Sequence, residues 1–231
     1  DQYEHVWAIV GLHPIHTTSS FHDHDELGEQ GREFTSRGEV FDVDYYRNLA
    51  ASKKVVGIGE CGLDYYRNTP ETNEVQEKAF RLQIELALQL DLPLMRHVRP
   101  SEGSYDAYYD VLSILEEYKK NHSSLRGQAH FFAGDQAIAQ RFIDLGFYIS
   151  FTGVITFAKM YEEVVASIPL DKILSETDAP YVSPAPYRGK RNHPSYVIEV
   201  VKKIAEIKGV SQELVAKKIK ENIRMLYGFD Y

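Results

Sequence analysis

Cysteine is almost missing from this chain. Cys61 stands alone among 231 residues, which excludes an internal disulfide and fits a reducing cytoplasm. No window holds the long uncharged apolar run of a membrane span, and no signal peptide is visible. Positive charge is in deficit as well. Lys and Arg number 26 against 34 Asp and Glu, for a net charge of -8. That balance argues against passive coating of nucleic acid, although it leaves room for a local cationic site. Low-complexity tracts and short internal repeats are absent. The first residue is Asp1 rather than a methionine, so the given sequence is expected to begin downstream of the natural start.

What is present suits one soluble domain over residues 1–231, since 43% of the residues are hydrophobic and no boundary interrupts them. Apolar strand-like runs alternate with segments of helical period. The runs are His5 to Gly11, Lys54 to Glu60, Leu92 to His97, Gly127 to Phe131, Phe147 to Phe151 and Lys172 to Asp178. A helix is expected from about Thr72 to Leu90, where Phe80, Ile84 and Leu88 share a face. Others are expected around Asp106 to Lys120, through Ile138 and Phe142, after Pro194, and after Ser211 as N-cap. Six strand runs with helices between them are the signature of parallel βα units. His16 to Gly38 is polar and reads as an insertion loop with room for a helical turn.

The polar residues fall at telling places. Val55 to Glu60 is an apolar run that closes on a glutamate, and glycines on both sides of Glu60 allow a close approach to its backbone. Glu60, His97, His130 and Asp178 each lie at or near the C-terminal end of a different strand run. In a (β/α) barrel those ends converge on one face. Two histidines and two carboxylates gathered there make a plausible set of metal ligands.

Each residue also has a plainer reading. Glu60 could pair with Arg96 or Arg99, and His97 or His130 could be a satisfied core histidine. His22 and His24 resemble a chelating pair, but their acidic neighbours Asp23, Asp25 and Glu26 favour a solvated loop. Cys61 reads as a packed side chain rather than a nucleophile. Asp64 would orient a ligand or cap a turn. His13, in Gly-Leu-His-Pro, could line the site or sit in a surface turn. Arg188, Lys190 and Arg191 would suit an anionic substrate such as phosphate, or serve solubility alone.

Several stretches together resemble the TatD family of metal-dependent hydrolases. They are Gly57-Ile58-Gly59-Glu60-Cys61-Gly62-Leu63-Asp64-Tyr65, Leu92-Pro93-Leu94 leading to His97, and His130-Phe131-Phe132-Ala133-Gly134. Ser175-Glu176-Thr177-Asp178-Ala179-Pro180-Tyr181 and Pro186-Tyr187-Arg188-Gly189-Lys190-Arg191-Asn192 complete them, in the family's order and from end to end of the chain.

The resemblance implies a TIM-type (β/α)8 barrel and a deoxyribonuclease, an exonuclease, that works with two divalent ions, Mg2+, Mn2+ or Zn2+. It implies Glu60 as the carboxylate shared by both ions, His97 and His130 as ligands of one, and Asp178 as a ligand of the other and base toward the attacking water. His13, Arg188, Lys190 and Arg191 become substrate-binding residues. DNA is the implied partner, with no membrane and a monomeric chain. Members begin with a strand bearing His-x-His, and none precedes His5 here. The barrel is therefore expected to lack its first two βα units in the given sequence.

Two other functions stay open on the residues. The same scaffold and metals serve an ester or amide hydrolase, such as an aminoacyl-tRNA deacylase. A non-catalytic binding module is the reading from a different class.

Overall fold

The computed structural model describes residues 3–19, 21–22, 33–66 and 69–228. The chain folds into two compact units. One holds residues up to His22, Glu33–Gln128 and the chain from Leu226; the other holds Ala129–Met225.

The first unit opens with strand β1 (Ala8–Val10) and a single 3-10 turn, Pro14–His16. Phe21–His22 (β2) and Phe34–Thr35 (β3) then pair antiparallel, Phe21 opposite Thr35. A short β ribbon thus stands where the polar composition suggested only loop, since two neighbouring backbones satisfy each other there. His24 lies outside the described residues. Helix α1 (Val43–Ala50) starts at Asp42, whose carboxylate accepts the amides of Asp44 and Tyr45.

Strand β4 (Val55–Asp64) runs parallel to β1 on one edge and to β5 (Leu94–Arg99) on the other. It continues four residues past the expected end, because Gly62, Leu63 and Asp64 pair with His97, Val98 and Arg99. Glu60 therefore sits inside the strand rather than closing it. Between Ile58↔Leu94 and Cys61↔Arg96 the register slips, with one more residue on β4 than on β5. Such a bulge bends a strand and re-aims a side chain. The glycines flanking Glu60 admit the neighbouring strand itself. A Cβ on Gly59 would collide with the Met95 carbonyl, and one on Gly62 with that of His97.

Helix α2 (Pro70–Leu90) follows from sequence in the usual way. Thr69 and Thr72 form a capping box, Pro70 occupies the first turn, and Asp91 in a left-handed conformation ends it. Its buried face holds Phe80, Ile84 and Ala87, while Leu88 lies only partly covered at the edge. Helix α3 (Asp106–Lys119) buries Tyr108, Val111, Leu112 and Leu115, as its four-residue spacing predicts. Strand β6 (Gly127–Ala129) ends just before His130.

In the second unit, helix α4 (Gln136–Asp144) leads to β7 (Tyr148–Phe151), and helix α5 (Glu162–Ser167) leads to β8 (Ile173–Ser175). These strands pair parallel, with Ile149 opposite Ile173. Helices α6 (Val197–Lys208) and α7 (Gln212–Tyr227) close the chain, α6 stopping at a left-handed Gly209. Phe142, Phe147, Phe151, Ile173 and Ile204 are fully buried here, as Ile58, Leu63, Phe80, Ile84 and Leu94 are in the first unit. No described helix is long and apolar enough to cross a membrane.

Candidate metal centre

In the first unit, the bulge in β4 and the end of β5 bring Glu60 and His97 together, and the turn after β1 adds His13. One donor atom from each of these three residues lies within 4.8 Å of the others. Glu60 Oε2 is 3.6 Å from His13 Nε2 and 3.7 Å from His97 Nδ1. Its side chain is 32% exposed, so the glutamate is half-buried and open to a ligand rather than sealed in the core. Arg99 lies over the Tyr66 ring at 3.8 Å, and the buried Arg96 donates from Nε to the Gln128 carbonyl at 3.2 Å. Cys61 is fully buried and its thiol is pushed up to about 12, first by burial, so it is inert packing.

The two histidines of this cluster differ in what they present. His97 Nε2 lies 2.8 Å from Oδ2 of Asp64, a carboxylate only 6% exposed. That contact puts the proton on Nε2 and leaves a lone pair on Nδ1, the nitrogen nearest Glu60. Burial alone would lower the His97 pKa, but the neighbouring Asp64 and Glu60 carboxylates outweigh it and the pKa is raised. Burial would raise the Asp64 pKa, and its bond to His97 brings it down. The Asp64 carboxylate also accepts the Tyr66 amide at 3.1 Å, so it both orients a ring and caps a turn.

His13 is set the other way. Its Nδ1 accepts the Ile15 amide at 3.3 Å, and its pKa is held well below the ordinary value by burial and then by His97. A neutral ring whose Nδ1 accepts carries its proton on Nε2. His13 therefore offers a hydrogen-bond donor where His97 offers a lone pair.

The second unit carries a matching arrangement. His130, 8% exposed, places Nδ1 at 2.7 Å from Glu176 Oε2, and its Nε2 lies 3.5 Å from Asp178 Oδ1. Glu176 Oε1 accepts the Phe131 amide at 2.5 Å. The lone pair is thus on Nε2, facing Asp178. His97 and His130 present opposite ring nitrogens because the carboxylates hold opposite ones.

Asp178 belongs to a tight turn in which it and Val182 adopt φ of 56° and 54°. A left-handed β-branched residue costs on the order of 1 kcal/mol or more. Asn192, 4% exposed, holds this turn. Its Nδ2 reaches the carbonyls of Thr177 and Tyr181 at 2.6 Å and of Val182 at 3.2 Å, while its own amide donates to Pro180. The cations just before Asn192 are exposed. Arg188 lies 3.9 Å over the Phe157 ring and donates to the Ser183 carbonyl, which fixes its guanidinium plane.

The His13, Glu60 and His97 cluster fits a divalent metal, and His130 and Asp178 offer a pair of donors of the same kind. Histidine nitrogen and carboxylate oxygen are the donor types that zinc and manganese take, and the remote nitrogens of His97 and His130 each meet a carboxylate, the buried Asp64 and the 14% exposed Glu176. Reasoning from sequence did not single out Glu176 or Asn192. Glu176 could have been found from its place two residues before Asp178, a spacing that keeps two side chains on one side of an extended segment.

The comparisons agree with this chemistry. The sequence model of the TatD related DNase family matches residues 1–228. A relative in Bacillus subtilis (strain 168), an uncharacterized metal-dependent hydrolase YabD, is 37% identical over 98% of this chain and 79% of its own. The 3'-5' ssDNA/RNA exonuclease TatD of Escherichia fergusonii is 31% identical over 99% of this chain and 80% of its own. The crystal structure of YJJV, a TatD homolog from Escherichia coli K12, superposes with a TM-score of 0.77 at 25% identity, over 99% of this chain and 79% of that one. The α/β barrel class that the resemblance implies is therefore the fold this chain shares with that TatD homolog. The chain belongs to the TatD-related DNase family of metal-dependent hydrolases.

Proposed function

We propose that this chain hydrolyses phosphodiester bonds of DNA as a divalent-metal-dependent exonuclease, with Glu60, His97, His130 and Asp178 as its metal ligands. The observation that carries the reading is the repeated pairing of a histidine's remote nitrogen with a largely covered carboxylate, Asp64 on His97 and Glu176 on His130. A relative named as a 3'-5' ssDNA/RNA exonuclease supports the choice of substrate.

Two divalent ions, Mg2+, Mn2+ or Zn2+, would polarise the phosphoryl oxygens and make water a nucleophile near neutral pH. The residues supply the rest. Asp64 and Glu176 keep the protons on the remote ring nitrogens, so that the facing lone pairs stay available. Asp178 takes the proton of the attacking water on a carboxylate oxygen. His13 donates from Nε2 to a phosphate oxygen, and Arg188, Lys190 and Arg191 neutralise the flanking phosphates. Recognition through phosphates gives little sequence preference.

Glu60→Ala and Asp178→Ala should each lower cleavage of a labelled oligonucleotide by on the order of 10³-fold, the scale for groups acting at the transition state, with the circular dichroism spectrum unchanged. A normal rate in either folded variant removes that residue from the mechanism. Cleavage of an aminoacyl ester in place of DNA by the same protein and metal would replace the substrate.

A further inference from the structure

Two buried glutamines on helix α2 do a job that hydrophobic residues could not. Gln76 and Gln83 are seven positions apart, two turns along one face, and are 4% and 1% exposed. Gln76 accepts the Asp64 amide on Oε1 at 2.7 Å and donates from Nε2 to the Asp64 carbonyl at 2.9 Å. Gln83 does the same to Leu12, accepting its amide at 2.8 Å and donating to its carbonyl at 3.0 Å. A carboxamide is the side chain that carries donor and acceptor in one plane, as a neighbouring strand's peptide does.

The ladder between β1 and β4 runs only to Val10↔Ile58. Leu12 and Asp64 lie beyond it, with backbone groups that must find partners once buried. The glutamines provide them. Space for Gln83 depends on Gly11, where a Cβ would come 2.5 Å from Oε1. The two clasped residues are adjacent to the chemistry: Leu12 precedes His13, and Asp64 holds His97.

We propose that Gln76 and Gln83 are positioning residues with separate clients. Gln76 sets Asp64, and through it the His97 lone pair offered to metal. Gln83 sets the His13 donor offered to the substrate phosphate. The assignment of clients rests on the metal-dependent nuclease reading above.

The test uses the full chain, stripped of metal, in two titrations that need no turnover. Mn2+ binding is followed by calorimetry, and binding of a labelled single-stranded oligonucleotide in EDTA by fluorescence anisotropy. Gln76→Leu should weaken Mn2+ about 10-fold, as for loss of an outer partner of a ligand, and leave oligonucleotide affinity within about two-fold of wild type. Gln83→Leu should do the reverse, weakening the oligonucleotide about 5-fold or more, the scale of a misplaced bond to a charged oxygen.

Ile84→Val, on the same face, is the control: it lowers Tm and should move neither constant. Gln76→Glu and Gln83→Glu keep the shape and the acceptor while losing the donor, and they replace the leucine variants if those do not fold. Variants that lower Tm with both constants unchanged, or that move both constants equally, overturn the proposal while leaving the nuclease reading intact. A wild-type chain that binds neither Mn2+ nor the oligonucleotide overturns the nuclease reading itself and the clients with it.

Discussion

The two histidine clusters reach similar chemistry by different means. In the first unit, Glu60, Asp64 and His97 lie on adjacent paired strands, and the ladder of β4 and β5 fixes their spacing. In the second, Glu176 makes the last bond to β7, its amide donating to the Phe151 carbonyl, and Asp178 lies beyond it in a turn that Asn192 holds through carbonyls. Strand-borne groups depend on the close approach of backbones, loop-borne groups on single side chains. The first arrangement should fail by misfolding and the second by loosening.

The largest effect that follows concerns Gly62. Gly62→Ala places a methyl against the His97 carbonyl and should cost about 3 kcal/mol of stability, the upper range for overpacking. Urea unfolding measures it. A loss below about 0.5 kcal/mol would mean that β4 and β5 can separate, and that the ladder does not set the spacing of Glu60 and His97.

The carboxylate partners come next. Asp64→Asn and Glu176→Gln should each weaken Mn2+ binding by about 10- to 100-fold with the fold retained. Equal effects would sharpen the parallel between the clusters. An effect in one alone would show that only that histidine binds metal.

The mildest effect is that of pH on metal-free protein. Because the folded His13 pKa is lowered well below that of the unfolded chain, the unfolded state binds more protons as pH drops below about 6.5. Stability contributed by a neutral His13 is thus lost on acidification. His97, with its raised pKa, acts oppositely: its contribution is present below about 6.5 and fades as pH rises through the raised value. Between pH 7.5 and 5, wild type should lose more stability than His13→Gln. An identical loss in both would show that the surroundings of His13 do not hold its pKa down.

Much of this was legible in the sequence. The six strand runs and the helices between them follow from apolar stretches and four-residue spacing. Glu60, His97, His130 and Asp178 stood out because polar residues ending apolar runs are costly without a reason. The extension of β4 past Glu60 was not legible, because glycines read as turn signals whether they end a strand or let a neighbour approach it. Gln76 and Gln83 were hidden for a related reason. On a helix, glutamine is an ordinary surface residue, and only the tertiary structure shows which backbone it meets.

The most direct measurement is a time course on an end-labelled single-stranded DNA with metal-stripped protein, before and after restoring Mn2+, Mg2+ or Zn2+. The account predicts no cleavage without metal, and a ladder shortening from one end once a metal is restored. Cleavage that proceeds unchanged in EDTA, or none with any of the three metals, would contradict it.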